Sequence, residues 1–160
     1  DIERAASLDS RQSLSVFANR GDGRFEHSAI AGKALYRGAA FGDLDCDGQI
    51  DIVVTRLNQS PLVLCNITKT ANHWLRIRLH GHRSNRDGIG VRIHIVTDSG
   101  EPWNHATASV GYAGSSEREV HFGLGGDRSV SRLEIDWPSG VHQVPQNEAA
   151  DKVMEIEEAR

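Results

Sequence analysis

Residues 42–54 read GDLDCDGQIDIVV, with aspartates at 43, 45, 47 and 51 and a glycine at 48. Counting Asp43 as the first position, carboxylates fall at one, three, five and nine, Gly48 at six and Gln49 at seven. Alternating carboxylates on a tightly wound loop converge on a single hard cation, and the glycine permits the sharp turn that convergence needs. Calcium fits this donor set, because it accepts six to eight oxygens at about 2.3–2.6 Å. An EF-hand also requires a bidentate glutamate at position twelve and a helix on either side. Position twelve is Val54, inside the strand-like run IDIVVT, so the EF-hand reading fails. The expected ligands of a calcium ion are Asp43, Asp45, Asp47, the backbone carbonyl of Gln49 and Asp51. Two alternatives stand beside it: magnesium, which dehydrates reluctantly and takes fewer protein ligands, and a solvated acidic turn without an ion. The latter leaves four carboxylates repelling one another, each contact costing roughly a few tenths of a kcal/mol.

Beyond the loop, apolar residues alternate at period two, as half-buried strands require. Leu75, Ile77 and Leu79 share one face of HWLRIRLH, with Arg76 and Arg78 on the other. Val91, Ile93 and Ile95 alternate in the same way, as do Val120, Phe122 and Leu124, then Leu133, Ile135 and Trp137, then Met154 and Ile156. The pattern predicts an all-β chain whose larger part is an antiparallel sandwich or barrel. Helical turns are expected only at IERAASL, capped by Asp1, and at NEAAD, capped by Asn147. The composition changes at NITKTAN, residues 66–72. The predicted organisation is an extension over 1–12, a small hairpin unit over 13–70 containing the acidic loop, and a β domain over 71–160.

A charged fraction of 25 % and a net charge of −4 leave no basic stripe to release counterions, so nucleic acid is not an expected partner. No run approaches the roughly 18 apolar residues of a membrane span. The chain opens on Asp1 without a methionine, as a processed product or an excised fragment would.

The loop and its surroundings, RGAAFGDLDCDGQIDIVVTRLNQSPLVLCN, resemble an FG-GAP/VCBS repeat, the calcium-loop blade unit of β-propellers, and SVFANRGDGRFEH resembles the outer hairpin of a preceding blade. The resemblance covers 13–67 and implies a partial propeller-type blade whose ion is held by Asp43, Asp45, Asp47, the Gln49 carbonyl and Asp51. Cys46 and Gln49 stand where Asn and Asp are commoner in that family. Residues 72–157 resemble the ASPIC/UnbV domain that follows such repeats in the cartilage acidic protein family and in secreted bacterial relatives. The motifs carrying this are NHWLRIRLHGHRSNRDGIGVRI, VGYAGSSEREVHFGLG and VSRLEIDWPSG. Together the resemblances imply an extracellular or secreted, non-enzymatic protein.

Other signals have plainer readings. Arg20-Gly21-Asp22 spells an integrin-binding tripeptide, but ANRGDGRF also reads as a tight hairpin turn. Asn58 and Asn66 are glycosylation acceptors in form. Cys46 and Cys65 are candidates for one disulfide in an oxidising compartment, if strands 51–57 and 62–67 pair through an LNQSP turn. His80 and His82 lack a visible third metal ligand, and Asn85 and Asp87 fit an Asx-type turn. GYAGSS lacks a nucleophile context and His121 has no nameable partner, so an enzyme is not expected.

A propeller typically needs four to eight blades, and this chain holds material for about one and a half. The expected behaviour is calcium-stabilised adhesion or assembly, through self-association, filament formation or contact with neighbouring propeller blades. The alternative is a glycan- or ligand-binding domain of a larger secreted protein, with a cell-surface partner and with Trp74, Trp103 and Tyr112 as a stacking platform.

Overall fold

The computed structural model describes residues 10–112 and 114–160, and these fold into thirteen strands with no helix among them. The first five are β1 (Gln12–Asn19), β2 (Phe25–Ala34), β3 (Tyr36–Gly42), β4 (Asp51–Arg56) and β5 (Gln59–Leu64). Then come β6 (His73–His80), β7 (Arg92–Val96), β8 (Trp103–His105), β9 (Val120–Gly125), β10 (Ser129–Asp136), β11 (His142–Gln143), β12 (Gln146–Ala149) and β13 (Lys152–Glu157). Residues 65–72, which hold the composition change, form no strand.

The second half is a sandwich. One sheet has the order β13-β6-β9; the other runs β11-β10-β7-β8, with β12 also on β10. Their inner faces carry the alternating sets read from the sequence: Leu75, Ile77 and Leu79 against Ile93, Ile95, Leu133 and Ile135, closed by Phe122, Trp137 and Ile156. All of these are buried, and each such aliphatic side chain stabilises the fold by about 1.5–3 kcal/mol. The sheets do not close on each other, so of the two predicted forms the sandwich is the one adopted.

Three local expectations are corrected. NEAAD is not a helical turn: Gln146–Ala149 pairs antiparallel with β10, and Asn147 takes a left-handed φ of 58° within the strand. The strand β13 joins β6 in parallel, unlike the other pairings. The chain switches sheets at Asp151, whose φ is 59°, whose amide donates to the Trp74 carbonyl and whose carboxylate accepts from the Trp74 amide. Finally, β4 and β5 are joined by the two residues Leu57 and Asn58, with Arg56 opposite Gln59 and Asn58 at φ 57°, so the turn is tighter than LNQSP. The helical turn expected at IERAASL lies outside the described residues.

The first half buries little. Its hairpin β1–β2 is largely exposed, and among the described residues its buried apolar side chains are Ala34 and Val54. In the meander β3-β4-β5, β5 is an edge, where Pro61 is tolerated because no ladder bond is needed there. Across β3 the sandwich reaches over: the Glu117 amide donates to the Phe41 carbonyl at 2.9 Å, and the Phe41 amide to Ser116 Oγ at 3.0 Å.

Candidate metal centre

The loop between Gly42 and Asp51 is wound by its own carboxylates. Asp43 Oδ1 accepts from the Asp47 amide at 3.1 Å and Oδ2 from the Gly48 amide at 2.8 Å. Asp51 accepts from the Leu44 amide at 2.8 Å and, with its other oxygen, from the Asn66 amide at 2.7 Å. The first and last aspartates are therefore buried inside the turn they organise. Cys46 and Gly48 take the left-handed conformations that let so short a segment reverse, with φ of 62° and 88°.

Asp43, Asp45 and Asp51 each bring one carboxylate oxygen to within 4.8 Å of the others. Two oxygens bound to one calcium at 2.3–2.6 Å lie at most about 5.2 Å apart, so the pairwise spacing of the three is compatible with a common ion. Asp45 is exposed and is the outer member of the set. Asp47 is not in that converging set; its Oδ1 accepts from the Gln49 amide and its Oδ2 from the Gln49 side-chain amide, each at 2.8 Å. Gln49 spends its side chain on that contact.

The sandwich supplies a second tier that the motif alone did not indicate. Arg76 on β6 is buried, and its guanidinium bonds Asp43 Oδ2, Glu117 at 2.7 Å and Glu119 at 2.5 Å. Burial works against this charge, but the Glu119 hydrogen bond and the fields of Glu117, Glu119 and Asp43 outweigh it and raise the arginine above its ordinary range. Arg78 is shared between Glu119 and Glu155. Around the loop stand Asp43, Asp45, Asp47, Asp51, Glu117 and Glu119 against Arg76 and Arg78, an excess of negative charge that a divalent cation would reduce. Glu117 also accepts from the Asp43 amide at 3.0 Å.

Gly48 is the point of closest approach. A Cβ built on it would overlap Nε1 and Cε2 of the Trp74 indole and lie 2.5 Å from Cδ1. The Gly48 carbonyl accepts from His121 Nε2 at 2.8 Å, which fixes the tautomer protonated at that nitrogen. His121 in turn stacks on Trp74 at 6.3 Å and 10°, and Arg76 lies 5.9 Å from the Trp74 ring centroid. Beside the contact, Asp47, Gln49, Trp74 and residues 67–70 line an open cleft of about 490 Å³. One sequence signal for this tier existed: Glu117, Glu119 and His121 are spaced two apart on the approach to and into β9, as Trp74, Arg76 and Arg78 are on the neighbouring β6, and Arg76 pairs with His121.

The remaining candidates are placed as follows. Cys46 and Cys65 are both free thiols exposed to solvent, so the bridge between them is not formed; Cys46 sits in the left-handed turn and Cys65 just beyond β5. Asn58 tops the β4–β5 turn and is exposed, while Asn66 is half-buried and accepts from the Thr68 amide. Arg20-Gly21-Asp22 lies in the β1–β2 turn, with Gly21 and Gly23 at φ of 87° and 78°. His80 and His82 face different carboxylates, Glu155 and Glu157. Asn85 closes an Asx turn on the Asp87 amide. Among the described residues no other set of three His, Cys, Asp or Glu side chains converges closely enough to share an ion. The three aromatics form no single platform: Trp74 covers Gly48 on one sheet, Trp103 stacks on His94 at 4.2 Å on the other, and Tyr112 lies in the loop after β8.

An acidic loop at the mouth of a β-meander, seated on a two-sheet sandwich, defines an all-β blade-and-sandwich protein. Comparison of the sequence with family models is consistent with both halves. Residues 81–160 match the ASPIC and UnbV model and residues 5–54 match an FG-GAP-like repeat. The chain belongs to the ASPIC and UnbV family and carries an FG-GAP-like repeat ahead of that domain. It is also 29 % identical, over 163 aligned positions, to cartilage acidic protein 1 of Xenopus tropicalis; the match takes in 85 % of this chain and a quarter of that protein's length.

Proposed function

We propose that the chain is an extracellular, non-enzymatic module whose FG-GAP-like loop binds calcium through Asp43, Asp45 and Asp51, and that it works by association. The observation that carries the calcium reading is the convergence of those three carboxylate oxygens within 4.8 Å at the root of the β3–β4 hairpin. When bound, calcium supplies charge neutralisation and fixed oxygen geometry. The residues of the chain do the rest: Asp43 and Asp51 wind the loop, and Arg76 and Glu117 hold Asp43 in place.

Association is supported by what the first half leaves uncovered. Phe17 and Phe25 are each 63 % exposed and Val63 on the β5 edge 52 %, as in a repeat unit that needs neighbours to bury its faces. Neighbouring blades or further copies of the chain would supply them. The glycan- or ligand-binding alternative is supported by Trp103, which is 60 % exposed and backed by His94; binding on a glycan array that Trp103→Ala abolishes would favour it.

Because ligand binding to the native state adds directly to stability, chelator is expected to lower the melting temperature by several degrees and added calcium to restore it. A melt of the Asp45→Ala variant as sensitive to calcium as the native chain would overturn the assignment. Light scattering after size exclusion, with calcium present, tests association: a strict monomer at high concentration contradicts self-assembly.

A further inference from the structure

Resting on the calcium reading above, we infer that the loop and the sandwich form one coupled unit: calcium on Asp43, Asp45 and Asp51 locks the loop against Trp74 and His121, and the sandwich in turn raises the calcium affinity of the loop. Gly48 carries the coupling. Its amide donates to Oδ2 of Asp43, a carboxylate of the ligand set, while its carbonyl accepts from His121 and its Cα lies against Trp74. One peptide segment is thus fastened to the cation site at its N–H and to the sandwich at its C=O. A second link runs in parallel, because Arg76, two residues from Trp74 on β6, bonds the same Asp43 oxygen.

Without a cation, three carboxylates held this close repel one another and favour loop conformations that release Asp43. Releasing Asp43 frees the Gly48 amide and loosens the seat on Trp74. Calcium reverses that preference, and the two equilibria are linked reciprocally: whatever factor docking adds to calcium affinity, calcium adds to docking. Couplings of this kind usually fall between about 5-fold and 150-fold.

The geometry also provides a reporter. Of the three tryptophans, Trp137 is in the sandwich core and Trp103 is on β8 of the other sheet, so Trp74 is the one seated on the loop. The experiment is a calcium titration of the full chain, read by calorimetry and by tryptophan emission. It is repeated on Trp74→Phe, Trp103→Phe, His121→Ala and His121→Gln, with circular dichroism confirming the sandwich in each. Calcium is expected to shift the emission of the native chain and of Trp103→Phe but not of Trp74→Phe. His121→Ala is expected to bind calcium at least fivefold more weakly, and His121→Gln, which keeps a donor, to recover most of that loss. Trypsin cleavage at Lys69, in the exposed segment between the halves, is expected to slow by the same factor when calcium is present. Calcium binding within twofold of native in His121→Ala and Trp74→Phe, with unchanged cleavage at Lys69, overturns the coupling and leaves the calcium site standing. No calcium binding by the native chain overturns both.

Discussion

Replacing Gly48 with alanine puts two separable strains on the loop. The backbone at φ 88° is left-handed, which costs a residue with a Cβ about 1–2 kcal/mol. The added methyl also overlaps the Trp74 indole, and overpacking of that kind typically costs about 1–3 kcal/mol. The sum is about 2–5 kcal/mol. Gly140 is an internal control: its φ is 90°, yet a Cβ there meets nothing within 4 Å, so Gly140→Ala carries the conformational cost alone. The difference between the two variants isolates the contact with Trp74 at about 1–3 kcal/mol. For a chain of this size that corresponds to roughly 2–12 °C in melting temperature. Urea unfolding followed by circular dichroism and by tryptophan emission measures both variants on one scale. Equal losses, within about 0.5 kcal/mol, would show that the loop is not seated on Trp74 and would refute the packing described above.

Two further outcomes are expected. Ile135→Ala removes a fully buried side chain between the sheets and should cost about 2–5 kcal/mol by urea unfolding; a loss below 1 kcal/mol would contradict the sandwich core. Burial opposes the charge of Glu158, but hydrogen bonds from Ser139, from the Ser84 amide and hydroxyl and from the Arg83 amide prevail and hold its carboxyl far below the usual range. Its folded value lies beneath its unfolded one, so its contribution is fully present above about pH 4.5 and is lost as pH falls further. Acid unfolding should therefore begin below that point, and Glu158→Gln should flatten that limb of the stability profile; an unchanged limb would show that the carboxylate does not hold the 82–84 turn.

Much of the sandwich was legible because period-two alternation is a local property: Leu75, Ile77 and Leu79 declare their face whatever they pack against. The acidic triad was legible for the same reason, since the spacing of Asp43, Asp45 and Asp51 is set within one turn. What escaped depends on partners distant in sequence. Arg76 alternates to the outer face of β6 and reads as a solvated charge, yet it is buried because the loop closes over it with Asp43. The segment NEAAD has a reasonable cap and helix formers, and tertiary pairing with β10 overrides them. The parallel register of β13 follows from the sheet switch at Asp151, which no local pattern announces.

The proposed calcium site stands or falls on Asp43, Asp45 and Asp51. Isothermal titration of the full, chelator-stripped chain with calcium chloride tests it most directly, set beside the same titration of Asp45→Asn, whose exposed side chain winds no part of the loop. Saturable binding of one calcium per chain is expected, with a loss of at least tenfold in affinity in the variant. An absence of saturable heat in the native chain, or the same affinity in both proteins, would contradict it.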